Sequence, residues 1–375
     1  MAKGIYVGVD GKARKVKKAY AGVDNTARKI KKGYIGVGGI ARLFFSSEKE
    51  LSYYGTATAL SKSRYGLAAA TVGNYALFAG GYDGSYSSNV VDTYDTSLTK
   101  GTATNLSTAR NYLAATSTGN YALFAGGIDS STVSVVNAYS SLLALSTATS
   151  LTSYVQNLAA TRVGDYAIFA GGYRSNYATY HANVDAYNQS LAKKTATNLS
   201  AEKAYLAATN IGGYALFAGG HLRNSTLNAQ VDVYNSSLTK STTTNLSTAR
   251  SHLTATSVGD YALFAGGQTS SSACDAVDVY TSALVKGTSL KLSVARALLS
   301  ATTVDNFALF GGGSFSSTYY DSMDAFNSLL VRVPITNMSV TRTELAATTT
   351  GNYALFGGGR HNKNYRNVVD VFQAV

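Results

Sequence analysis

One eight-residue phrase constrains this chain more than any other feature. NYALFAGG (74–81) recurs, with small changes, six more times, and each copy ends in a glycine pair: Gly80-Gly81, Gly126-Gly127, Gly171-Gly172, Gly219-Gly220, Gly266-Gly267, Gly312-Gly313 and Gly358-Gly359. The second glycines lie 46, 45, 48, 47, 46 and 46 residues apart. A fixed period of this size marks a repeat architecture. Each copy is a short apolar run rich in aromatic and branched residues, which reads as a strand buried on both faces. The glycines then end it, where a side chain would obstruct a sharp exit or a neighbouring backbone. No helical periodicity accompanies these strands.

Aligned on the glycines, the copies predict four strands per unit. The first reads like RYGLAAAT (64–71), the second is YALFAGG, the third reads like VVDTYDTSL (90–98), and the weaker fourth reads like KGTATNLS (100–107). The chain ends fix the number of units. The stretch after Gly359 is long enough for a third strand, VVDVFQAV (368–375), but not a fourth. The segment SYYGTATALS (52–61), ahead of the first unit, matches a fourth strand. The last unit is therefore expected to close with the N-terminal strand Ser52 to Leu60 beside Val368 to Phe372, which removes the free edges of an open ring. The predicted fold is all-β: a seven-bladed β-propeller with N-terminal strand closure over 46–375, preceded by a small basic β-meander arm over 1–45.

The repeat resembles the kelch repeat in its glycine pair after an apolar strand and its spaced aromatic, here Tyr94, Tyr139, Tyr187, Tyr234, Tyr280, Phe326 and Phe372. The tryptophan usual on the fourth strand of that repeat is absent throughout, and small polar residues stand in its place.

Charge separates the arm from the ring. Of the net +12, residues 1–45 carry +9, from eight lysines and three arginines against Asp10 and Asp24. Within the arm Tyr6, Tyr20 and Tyr34 fall 14 residues apart. The turn-prone pairs Asp10-Gly11, Asp24-Asn25 and Gly38-Gly39 recur in step, which predicts a four-strand meander. Such a module is too small and too charged to bury its own core, so it is expected to dock on another protein. Its cations lie in regular strands rather than in a nucleic-acid reader motif, which makes nucleic acid the weaker expectation. The phrase YVGVDGKARKVKKAYAGVD resembles the start of tail- and baseplate-associated proteins in phages and prophages of Gram-positive bacteria. That resemblance implies a virion or phage-tail-like particle as the location, with other particle proteins as partners of residues 1–45.

Little in the chain points to chemistry. The single cysteine, Cys274, allows no internal disulfide. The N-terminus lacks the 7–15-residue apolar run of a signal peptide, and no window reaches the roughly 18 apolar residues of a membrane span. His181, His221, His252 and His361 form neither His-x-His nor His-x-x-x-His, and no Lys-Ser/Thr follows a glycine pair. Most acids recur identically in each unit, as structural residues do. No catalytic residue, metal or cofactor is expected, and the chain is read as a non-enzyme.

The loops between second and third strands differ in kind. Where the copies agree elsewhere, these diverge in length and residue, and they are stocked with Tyr, Ser, Asn, Arg and His, the mixture of a binding surface. In a four-stranded blade they emerge on one face of the ring. The residues expected to bind ligand are Tyr173, Arg174, Tyr177, Tyr180, His181, His221, Arg223, Arg360, His361, Tyr365 and Arg366. The functional expectation is a virion protein whose propeller binds a host-surface glycan or cell-wall polymer. The alternatives are a decoration or spacer module of the particle and a propeller hydrolase.

A last pattern concerns charge. Arg64, Arg110, Val155, Lys203, Arg250, Arg296 and Arg342 stand at one fixed distance before the second glycines, and Asp92, Asn137, Asp185, Asp232, Asp278, Asp324 and Asp370 stand two before the spaced aromatics. Each acid position precedes the next cation position by one constant step, as Asp92 precedes Arg110 and Asp232 precedes Arg250. The two exceptions, Asn137 and Val155, fall in one such pair. This predicts salt bridges between blades, Asp92 to Arg110 and so on, with Asp370 meeting Arg64 across the closure.

Overall fold

The apolar runs become the second strands of seven antiparallel sheets. The computed structural model describes residues 6–9, 12–15, 19–23, 26–30, 32–37, 40–46 and 49–375. Its contacts divide into two units, 1–51 with Val375 and 52–374.

In the larger unit each blade is a four-stranded meander in chain order. Blade one consists of Ala68–Val72, Tyr75–Ala79, Val91–Tyr94 and Lys100–Thr102. Blade seven takes Ala346–Thr350, Tyr353–Gly357 and Val369–Ala374 from the C-terminal end, and Leu51–Ala57 from before blade one as its outer strand. The inner strands of consecutive blades touch, and blade seven's touches blade one's, so the ring is closed. The molecule is a seven-bladed β-propeller, with the closing strand where the repeat count places it.

The core lies in the seams. Each apolar cluster joins the second and third strands of one blade to those of its neighbour, as Leu77, Ala79 and Val91 meet Phe124 and Tyr139. Within a blade the second-strand Phe meets the third-strand aromatic edge-on, for example Phe78 with Tyr94 at 5.9 Å and 90°. Such T-shaped pairs add to burial energy. The Tyr94 hydroxyl donates to the Thr58 carbonyl at 2.6 Å, so a buried phenol keeps a partner.

The glycine pairs serve the same seams. The N–H of Gly172 donates to the Lys203 carbonyl of the next blade at 2.9 Å, and a Cβ on Gly171 would lie 2.6 Å from that oxygen. All seven blades repeat this contact with the next blade, Gly359 closing on Arg64. The pair thus combines positive φ with a close backbone approach, two demands that glycine alone meets.

In the smaller unit the strands differ in number from the four expected. Among the described residues six strands form three two-stranded hairpins: Tyr6–Val9 with Lys12–Lys15, Ala19–Val23 with Thr26–Ile30, and Lys32–Val37 with Ile40–Ser46. The pairings Val9 with Lys12, Val23 with Thr26 and Val37 with Ile40 bracket the three turn-prone pairs, which themselves lie outside the described residues. Each 14-residue unit carries its own turn signal and therefore closes on itself.

Candidate functional site

The buried charges are structural, and they pair differently from the sequence expectation. Asp92 does not bridge to Arg110; it bonds Arg64 of its own blade at 2.8 Å. The same holds for Lys203 with Asp232, Arg250 with Asp278, Arg296 with Asp324, and Arg342, not Arg64, with Asp370. The cause is local geometry. Asp92 sits directly across from Phe78, and the guanidinium that bonds the Phe78 carbonyl at 3.1 Å reaches the carboxylate beside it. A second cation, from the outer strand or the segment leading into it, completes most clusters, as Lys100 does for Asp92 and Lys286 for Asp278. Burial alone would raise Asp278, but Arg250 and Lys286 overcome it and hold the carboxyl below its ordinary range. The two exceptional positions therefore leave two half-clusters. Arg110 bonds Asn137 at 2.9 Å, and Asp185, facing Val155, is held by Lys193 and Thr152. The six cations are wholly buried, so this ring offers nothing to a ligand.

Next to each cation the chain does something that the sequence reading, which drew RYGL as strand, did not anticipate. The inner strand begins only at Ala68, and the preceding residues form a bend. Its third residue is left-handed in every blade: Gly66, Tyr112, Asn157, Tyr205, His252, Leu298 and Glu344, with φ between 52° and 62°. The bends are joined head to tail. Tyr112 donates its N–H to Gly66 O, Asn157 to Tyr112 O, and so on round to Gly66 on Glu344 O, at 2.7–3.1 Å. Seven hydrogen bonds thus close a collar around the ring axis. Each collar residue is followed by a leucine (Leu67, Leu113, Leu158, Leu206, Leu253, Leu299 or Leu345), and these residues with Gln156 line an open cavity of about 460 Å³. That size falls within the roughly 300–1,000 Å³ of small-molecule sites.

The collar is asymmetric. At Gly66 a Cβ would lie 3.2 Å from the Tyr112 ring, so the missing side chain lets that ring lean across blade one. The Tyr112 hydroxyl then donates to Glu344 Oε1 at 3.3 Å. Burial and the Glu344 charge push Tyr112 far above its ordinary pKa. Elsewhere on the collar Tyr205 and His252 stack at 4.4 Å and 28°. Burial and the nearby His221 pull His252 down to about 4, so it is neutral at pH 7.

The loop residues expected from sequence gather beside this mouth in part. The first residue after each glycine pair bridges to the residue just before the collar, as Tyr173 does to Gln156, His221 to Ala204 and Arg360 to Thr343. Around blades three and four, Tyr173 packs on Tyr180 at 5.0 Å, and the Tyr180 hydroxyl bonds His221 Nδ1 at 3.0 Å. Burial, with smaller contributions from Tyr180 and Tyr173, raises Tyr205 above its ordinary pKa. Around blades seven and one, Arg360 pairs with Glu344 and lies 4.7 Å over the Tyr65 ring, and Tyr365 stacks on Tyr65 at 5.4 Å. Since three to four blades separate these clusters either way round, they flank the axis from opposite sides.

The other residues stand apart. Arg174 lies over Tyr177 and Tyr154, and Tyr177 is exposed. Arg223 is exposed on its loop. His361 stacks on Tyr319 and bonds Thr341. His181 Nε2 and Arg366 Nε are buried without a hydrogen-bond partner. Sequence reasoning missed Tyr112, Asn157, Tyr205, His252 and Glu344. Their signal was present: two positions that change in almost every copy, set between a near-constant cation and a constant leucine, of which the second is the collar residue.

No protein-family model matches this chain, and no curated protein is similar to it at a significant level. Solved structures do match. One described as "Structure of YjhT" aligns with a TM-score of 0.58 at 12% identity, covering 72% of this chain and 97% of that one. The likeness is one of fold.

Proposed function

We propose that this chain is a non-enzymatic binding propeller of a virion or phage-tail-like particle. Residues 1–45 attach it to other particle proteins, and the loop face binds a host-surface glycan. The observation that carries the reading is the convergence on one mouth of the two aromatic loop clusters and the variable collar. Tyrosine, histidine, arginine and amide groups around one mouth suit the flat, hydroxyl-rich faces of sugars. Retaining and inverting glycoside hydrolysis requires two carboxylates about 5–9.5 Å apart. Glu344 is the one carboxylate lining the axial cavity, and it is held by Arg360, which favours binding over hydrolysis. The +9 arm of short hairpins supports a docking role.

The test is adsorption of the full chain to host cells and purified wall polysaccharide. Alanine at Tyr173, Tyr180, His221, Arg360 and Tyr365 together is expected to abolish it. Unchanged adsorption favours the spacer reading, and release of new reducing ends favours a hydrolase.

A further inference from the structure

Among the left-handed positions of the repeat, two treat their residues in opposite ways. In the turns between third and fourth strands, Leu98, Leu143, Leu191, Leu238, Leu284 and Leu330 adopt φ of 60–62°. That residue is leucine in all six, and it packs against the core. In the collar the conformation is equally unfavourable for a residue with a Cβ, yet the residue changes almost every time. Glycine or asparagine would carry this bend with least strain, as Gly66 and Asn157 do. The other five blades place Tyr, Tyr, His, Leu and Glu there. The collar's hydrogen bonds use only main-chain atoms, so the bend itself needs none of these side chains. What they share is the cavity they surround.

We propose that the axial cavity is a subsite for one uncharged sugar residue, the end residue of a glycan chain, entering along the ring axis. This rests on the glycan-binding role proposed above and specifies its deepest contact. Three observations select the ligand. The collar N–H groups are consumed in the ring of hydrogen bonds, which leaves no backbone nest for a phosphate or carboxylate. The charged residue of the lining, Glu344, is neutralised by Arg360 from the adjoining loop, and His252 is neutral at pH 7. The lining offers phenol, imidazole, carboxylate and amide groups beside the edges of leucines whose side chains pack into the blade seams, a mixed surface that suits a ring fringed with hydroxyls. The closed collar surrounds the site laterally, so a glycan reaches it along the ring axis, by its end.

The experiment is calorimetry or saturation-transfer NMR on the full chain. The neutral probes are N-acetylglucosamine, N-acetylgalactosamine, galactose and rhamnose; the charged probes are glucuronic acid, N-acetylneuraminic acid and glycerol phosphate. At least one neutral sugar is expected to bind and the charged probes are not. Tyr205→Ala and the near-isosteric Glu344→Gln should each weaken binding about tenfold or more. Leu142→Ser, on the exposed turn between third and fourth strands of blade two, should leave it unchanged. Tighter binding of a charged probe overturns the proposal, as does neutral-sugar binding that ignores both cavity variants. If wall polysaccharide binds but no monosaccharide does, the axial subsite fails and the glycan-binding role stands. If neither binds, both fail.

Discussion

Blade two lacks two of the three charges that blades one, four, five and six bring together. Asn137 stands in the Asp position, Leu145 pairs with Tyr139 where Lys100 pairs with Tyr94, and Arg110 is left wholly buried. Its partners are neutral: Asn137 Oδ1 at 2.9 Å, Phe124 O at 3.1 Å and Thr108 O at 3.3 Å, with Nε unpartnered. Burial pulls Arg110 from 12.5 down to about 10. At 1.36 kcal/mol per unit, that penalty is on the order of 3 kcal/mol. Asn137→Asp should recover about 1–3 kcal/mol, because Ser107 already donates its N–H and hydroxyl to this position, as Ser247 does to Asp278. The thermal midpoint should rise by roughly 2–6 °C. A carboxylate held below its unfolded pKa of about 4 contributes above that pH and loses its contribution as the pH falls through the folded value. The gain should therefore be full at pH 7 and vanish in acid. The converse, Asp278→Asn, should destabilise by about 3–5 kcal/mol. Calorimetric scans from pH 3 to 8 measure both. An unchanged or lower midpoint for N137D at pH 7 would refute the view that Arg110 carries an uncompensated burial penalty.

Gly171→Ala should destabilise by about 3 kcal/mol or more in urea unfolding, because the new Cβ would lie 2.6 Å from a backbone oxygen that cannot move aside. His252 sets an acid limit. Its folded pKa of about 4 lies below its unfolded value of 6.5, so stability should fall as the pH drops from about 6.5 towards 4, and His252→Asn should flatten that slope. Deleting residues 1–45 should leave the propeller's thermal transition nearly unchanged and abolish incorporation into particles; failure of the truncated chain to fold would overturn the division.

The propeller was legible because its strongest signals are local and repeated. An apolar strand, a glycine pair and an aromatic at fixed spacing recur seven times, and the two incomplete ends sum to one repeat. Pairing of the buried charges was not legible. The step from each acid on to the next cation is constant at 18 residues, whereas the step back to the blade's own cation varies from 27 to 30 because it spans the variable loop, so regular spacing favoured the wrong partner. Only the placement of Asp92 opposite Phe78 decides between them. The collar escaped for a different reason. RYGL continues smoothly into AAAT as an apolar run, and nothing in its composition announces a left-handed bend at Tyr112 or Tyr205. The bend exists because seven backbones hydrogen-bond around an axis, a relation no single repeat contains. Variation between constant neighbours was the available clue, and it was read only in the longer loops.

The measurement that tests the account most directly compares the two faces of the ring. Affinity for purified host wall polysaccharide would be determined for the full chain, for Tyr205→Ala in the collar, and for Leu142→Ser, an exposed residue of the turn between third and fourth strands on the opposite face. The account predicts a loss of about tenfold or more for the collar variant and none for the other. Equal affinities, or a loss confined to Leu142→Ser, would contradict it.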